Sequence, residues 1–131
     1  MSNSGANDIL QGRRVLVVED EVPVAMELDS ILRAQGCMVL GPAATVQRAV
    51  ALIEQRLPEA ALLDLNLGGQ SALPIAAALN ARSVPFLIVS GYSARQSQEP
   101  ELNGAPRLPK PVSHRKLLQA LRQVLLTTLT G

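Results

Sequence analysis

A chain of 131 residues can bury one hydrophobic core and not two, so one site on one scaffold is expected. Hydrophobic residues make up 47% and charged residues 18%, which excludes a disordered or collagen-like chain. Twelve basic and eleven acidic residues leave a net charge of +1; the basic ones form no stripe, and Phe86 and Tyr92 are the only aromatics, so a nucleic-acid surface is unsupported.

The single cysteine, Cys37, sits in an apolar run and reads as a buried, inert thiol, in keeping with a reducing cytosol. Met1 to Gln11 is polar, with no basic region leading into an apolar stretch, and no run reaches the roughly eighteen apolar residues of a membrane span. A cytoplasmic protein is expected, with residues 1–11 as a flexible tail and residues 12–131 as the domain.

In chain order, Val15 to Val18 reads as a first strand, followed by a helix with Val24, Leu28, Ile31 and Leu32 on one face and Gly36 as its C-cap. Cys37 to Leu40 reads as a second strand stopped by Gly41-Pro42, and Thr45 caps a helix with Val46, Ala49, Val50, Ile53 and Leu57 on its apolar side. Ala60 to Leu63 is the third strand, Gly68-Gly69 a turn, and the third helix runs from about Ser71 to Arg82 with Pro74 in its first turn. Phe86 to Val89 is the fourth strand. Ser93 to Asn103 has weak helical periodicity, Gly104 to Pro109 holds a short edge strand, and Ser113 caps a closing helix carrying Leu117, Leu118, Leu121, Val124 and Leu125. Strands alternating with helices predict an α/β fold with a mostly parallel sheet and helices on both faces, and little chain remains for an output domain.

In such a sheet the ligand sits beyond the carboxyl ends of the strands. Glu19, Asp20 and Glu21 follow the first strand, Asp64 the third, Ser90 the fourth and Lys110 the fifth. Alone, Glu19-Asp20 could be a solvated helix start, Asp64 or Ser90 a turn, and Lys110 a loop charge. Together they converge on one crevice, where two carboxylates a few ångströms apart would repel by on the order of 4 kcal/mol and so share a proton or bind a cation. Oxygen ligands without a nearby histidine or thiol favour magnesium, with manganese as the alternative. A carboxylate beside such a metal is a nucleophile toward phosphorus, and the transferred group's charge then needs the metal, a lysine and a hydroxyl.

The segments Val17-Val18-Glu19-Asp20-Glu21, Leu62-Leu63-Asp64-Leu65-Asn66, Val89-Ser90-Gly91 and Leu108-Pro109-Lys110-Pro111 resemble the receiver domains of two-component response regulators, in order over about residues 12 to 128. The resemblance implies a doubly wound five-stranded sheet in the flavodoxin-like order 2-1-3-4-5. It implies Asp64 as phosphoacceptor, Glu19 and Asp20 as metal ligands with Asp64, and the backbone carbonyl of Asn66 as a further ligand. Ser90 and Lys110 would bond the phosphoryl group, with Lys110-Pro111 often cis in the family. It implies a sensor histidine kinase or phosphotransfer protein as donor, a downstream protein target, and a monomer or weak dimer. The activity would be that of a switch, with magnesium-dependent self-phosphorylation and slow autodephosphorylation.

The chain departs from the family's pattern in two places. The loop after Asp64 lacks the usual proline and later glycine and leaves the spacing to Ser90 short, and the position three before the lysine holds Arg107 where the family usually carries an aromatic. Tyr92 or Arg107 is therefore expected to report the phosphoryl state. The Ser90-Gly91-Tyr92 step resembles a group of standalone receivers from alpha-proteobacteria. The same departures keep open a receiver-like interaction module that is never phosphorylated. A haloacid-type phosphohydrolase is disfavoured, because its second aspartate is here Asn66. His114, the only histidine, is expected to face solvent without a metal or phosphodonor role.

Overall fold

The computed structural model describes residues 8–91, 99–102 and 104–130, with side chains as far as residue 127. Among them lie β1 (Arg14–Val18), α1 (Val22–Ala34), β2 (Met38–Ala43), α2 (Val46–Gln55), β3 (Ala60–Leu63), β4 (Asn66–Leu67), β5 (Gln70–Ser71), α3 (Leu73–Ala81), β6 (Phe86–Ser90), β7 (Arg107–Pro109) and α4 (His114–Thr130). Five strands form a parallel sheet in the order β2-β1-β3-β6-β7, while β4 and β5 form a separate antiparallel hairpin. Counting only the strands of the large sheet, this is the expected order 2-1-3-4-5.

The central strands are apolar on both faces because both faces are covered. Val15, Val17, Leu62, Leu87 and Val89 pack with Leu28, Ile31 and Leu32 of α1 and Leu117, Leu121 and Leu125 of α4. Leu16, Val18, Ala61, Leu63, Phe86 and Ile88 pack on the other side with Ala49 and Ile53 of α2 and Ile75, Ala76 and Leu79 of α3. Side-chain alternation along each strand thus divides one apolar run between two half-cores.

Local signals end the helices where the residues dictate. Gly36, at φ 86°, closes α1: its N–H donates to Arg33 O at 3.0 Å and that of Cys37 to Leu32 O at 3.1 Å, the paired bonds of a Schellman ending. Thr45 accepts from the N–H of Arg48 at 3.1 Å, and Ser113 from that of Lys116 at 3.2 Å. Cys37 is buried, and burial pushes its thiol up to about 11, as expected of an inert cysteine.

The fold corrects several expectations. Gly41-Pro42 does not stop the second strand, which continues to Ala43. β2 is an edge strand, where a missing proline N–H is tolerated, and its pairing slips by one residue, from Leu16↔Leu40 to Val18↔Ala43, to absorb the turn. Leu57 is not on the apolar face of α2 but 45% exposed, because the helix ends at Gln55 and helical spacing no longer governs it. The third helix starts at Leu73, because Gln70 and Ser71 are taken up by the hairpin. Residues 1–7 of the expected tail lie outside the described residues, whereas Asp8 to Gln11 form a turn with Leu10 wholly buried and Asp8 paired to Arg122 of α4 at 2.6 Å. Of the expected helix from Ser93 to Asn103, residues 93–98 and 103 lie outside the described residues, and Pro100–Leu102 form a single 3-10 turn with Leu102 buried.

Candidate functional site

Parallel pairing brings the carboxyl ends of β1, β3, β6 and β7 to one rim of the sheet. Val18 pairs with Leu63, and the N–H of Asp64 donates to Val18 O at 3.0 Å, so the residues that follow these strands leave the sheet side by side. Ser90 pairs with Pro109, and the N–H of Lys110 donates to Ser90 O at 2.9 Å. The sheet thus gathers Glu19, Asp20, Asp64, Ser90 and Lys110 at one end.

Glu19 and Asp64 are buried and Asp20 is half-buried, with one carboxylate oxygen from each lying within 4.8 Å of the others. Lys110 Nζ donates to Glu21 Oε1 at 2.9 Å, Glu19 Oε2 at 3.2 Å and Asp64 Oδ2 at 3.3 Å. Glu19 Oε1 stands 3.1 Å from Nζ without hydrogen-bond geometry, and is a buried oxygen with no bonding partner. Burial, and next a hydrogen bond with Asp64, push the Glu19 carboxyl up to about 7. Burial works against the Lys110 ammonium, but its bonds to Glu21 and Glu19 and the charge of Asp64 outweigh it and hold the group above its ordinary value.

Four carboxylates against one ammonium leave this end of the sheet short of positive charge. Three clustered carboxylates, two of them buried, make an all-oxygen donor set that a small hard divalent cation would satisfy, so the residues present fit magnesium. Asn66 borders the same pocket.

The pocket encloses about 340 Å³ and is bordered also by Glu21, Gly68, Gly69, Ser90 and Gly91. Its wall beside Asp64 is the β4–β5 hairpin, whose turn residues Gly68 and Gly69 have φ 60° and 88°. Asn66 ties this wall down, its N–H donating to Asp64 Oδ1 at 3.2 Å and its own Oδ1 accepting from the N–H of Gly69 at 2.8 Å. Sequence reasoning saw the Gly-Gly turn but missed the hairpin as a pocket wall, and read Glu21 past as one acid of three. Adjacency to Glu19-Asp20 was the only signal for Glu21. His114 is exposed, with Nε2 3.3 Å from Glu27 Oε2, and takes no part in the site. Arg107 lies in β7 opposite Ile88, and Tyr92 lies outside the described residues.

The sequence profile of the response regulator receiver domain matches residues 15–122. The chain belongs to this family. Sensory transduction protein RegX3 of Mycobacterium tuberculosis is 36% identical to this receiver domain over 118 residues, covering 85% of the chain and 50% of the relative. Transcriptional regulatory protein PdtaR of the same species is 29% identical over 112 residues, covering 83% of the chain and 55% of the relative. The receiver domain thus spans about half the length of the curated relatives it matches. Among solved structures, the response regulator PhyR from Brucella abortus shares the fold with a TM-score of 0.80 at 23% identity, over 95% of this chain and 53% of that one. The signal receiver domain of a modulated diguanylate cyclase from Desulfovibrio desulfuricans matches with a TM-score of 0.78 at 26% identity, over 92% and 98%. No helix among the described residues is long and apolar enough to cross a membrane.

Proposed function

We propose that this receiver domain accepts a phosphoryl group on Asp64 from the phosphohistidine of a sensor kinase or phosphotransfer protein, and signals in the cytoplasm through protein contacts. The observation that carries the reading is the cluster of Glu19, Asp20 and Asp64, one carboxylate oxygen of each within 4.8 Å of the others, with Lys110 Nζ 3.3 Å from Asp64 Oδ2. Glu19, Asp20, Asp64 and the main-chain carbonyl of Asn66 would hold the cation, magnesium by cellular abundance. When bound, magnesium supplies positive charge to the phosphoryl oxygens.

In the transfer a carboxylate oxygen of Asp64 forms the new P–O bond while the P–N bond to the donor imidazole breaks, its electron pair staying on the ring nitrogen. Lys110 neutralises charge on the phosphoryl oxygens, and the hydroxyl of Ser90, at the end of β6 on the same pocket, donates a hydrogen bond to one of them. That bond draws on Ser90 and the chain after it, which is how occupancy of Asp64 would reach the surface near β7 and α4. Hydrolysis of the acyl phosphate resets the domain. A mass increase of one phosphoryl group after incubation with acetyl phosphate and magnesium, absent in Asp64→Ala and Asp64→Asn, is the expected result. No increase in the parent chain would refute the assignment.

Arg107 in β7 favours a second reading, an interaction module of the same fold that is never phosphorylated, since the family's usual aromatic relay has no counterpart at that position. Tight, magnesium-dependent binding of beryllofluoride rejects this second reading, and its absence supports it.

A further inference from the structure

An ammonium has three N–H donors, and those of Lys110 are all taken. Their acceptors are Glu19 Oε2 at 3.2 Å, Asp64 Oδ2 at 3.3 Å and, at the shortest distance of 2.9 Å, Glu21 Oε1. A phosphoryl oxygen on Asp64 can therefore reach Lys110 only by displacing one of the three.

The three acceptors differ in what their release costs. Asp64 gives up its carboxylate charge once it carries the phosphoryl group, and of the two acids that keep theirs the side chain of Glu19 is wholly buried, whereas that of Glu21 is 59% exposed and can rehydrate as it leaves. Glu21 occupies the N-cap position of α1 but its side chain makes no capping bond, so Lys110 and not the helix holds it. Glu21 also lies outside the group of three whose oxygens come within 4.8 Å of one another. A cation drawing on Glu19, Asp20 and Asp64 therefore leaves Glu21 as the carboxylate that keeps Lys110 in its resting place.

We propose that Glu21 is a restraining residue: it competes with the phosphoryl oxygens for Lys110 and thereby biases the domain toward its unphosphorylated state. The proposal rests on Asp64 as phosphoacceptor. In that setting the exchange is one ion pair for another at the pocket mouth. Removing Glu21 leaves a donor of Lys110 free before the phosphoryl group arrives, and the occupied state gains by the cost of the lost competitor.

The test is a beryllofluoride titration of the full chain at saturating magnesium, comparing the parent with Glu21→Ala and Glu21→Asp. Both variants are expected to bind about two- to fivefold more tightly, the range for an exposed ion pair, with the gain shrinking as salt is raised. Unchanged or weaker binding in Glu21→Ala overturns the proposal. Tightening in Glu21→Ala but not in Glu21→Asp, which keeps the charge on a shorter arm, also overturns it, because the charge alone and not the contact would then be responsible. A parent chain that binds no beryllofluoride removes the phosphoacceptor reading, and with it the proposal. A parent that binds with variants that match it removes the proposal alone.

Discussion

Lys110 Nζ and Asp64 Oδ2 stand 3.3 Å apart although 46 positions separate them in the chain. The contact exists because β3, β6 and β7 lie side by side in parallel, so that whatever follows β3 meets whatever follows β7 across one short rim. The charge balance of the pocket depends on that pairing.

Lys110→Met should destabilise the protein in metal-free buffer by about 1–3 kcal/mol, the cost of leaving buried acceptors without their donor. Millimolar magnesium should close most of the gap, since a cation can take over the carboxylates. Urea unfolding with and without magnesium measures both effects. A gap that stays the same in magnesium would mean that the metal and Lys110 do not share these carboxylates.

The Glu19 carboxyl is raised from its ordinary 4.5 to about 7 in the folded protein. Between these values the folded chain holds a proton that the unfolded chain has released, so metal-free stability should be full below about 4.5 and fall as pH rises through about 7. Asp8 has the opposite sign. The bond from Arg122 holds its carboxyl below the ordinary 3.8, so its contribution is present above that value and is lost as pH falls further. Thermal melts across pH in the presence of a chelator should show a maximum between the two windows, and magnesium should flatten the upper one.

Leu10 is wholly buried among α1, β1 and α4 side chains, so Leu10→Ala should cost about 2–5 kcal/mol. Asp8→Asn, which weakens a partly exposed pair with Arg122, should cost about 1 kcal/mol or less. Denaturant midpoints decide the matter: a segment that behaved as a free tail would leave both unchanged.

Gly41 and Gly69 both have positive φ, 95° and 88°, but their surroundings differ. A Cβ at Gly69 meets nothing within 4 Å, so Gly69→Ala should cost only the left-handed backbone, about 1–2 kcal/mol. A Cβ at Gly41 would lie 2.7 Å from Ala43 N and 3.0 Å from Val17 O, both main-chain atoms that cannot move aside. Gly41→Ala should therefore exceed about 3 kcal/mol. Equal costs in urea melts would show that the bulge in β2 can relax.

Most of the architecture was legible because it is written in local periodicity. Short apolar runs bounded by turn residues and helical stretches capped by Thr45, Ser113 and Gly36 needed only neighbours a few positions away to be recognised. The candidate site was legible for a related reason, since residues just past strand ends must meet if the strands are parallel. Misjudged were elements whose outcome depends on a distant partner. Gly41-Pro42 breaks an isolated strand but not an edge strand with β1 on one side, and the polar segment around Asp8 looks loose until Arg122 of α4 is placed beside it.

The sequence by itself determined which residues could do chemistry and that a parallel sheet would bring them to one end, because chain direction and side-chain type are both local properties. Only the tertiary structure decided how the acids divide their roles: Glu19 buried beside Asp64, and Glu21 exposed yet nearest to Lys110 from 89 positions away. Burial and distance belong to pairs of residues and not to single ones. They come into being when strand order and register place the pairs.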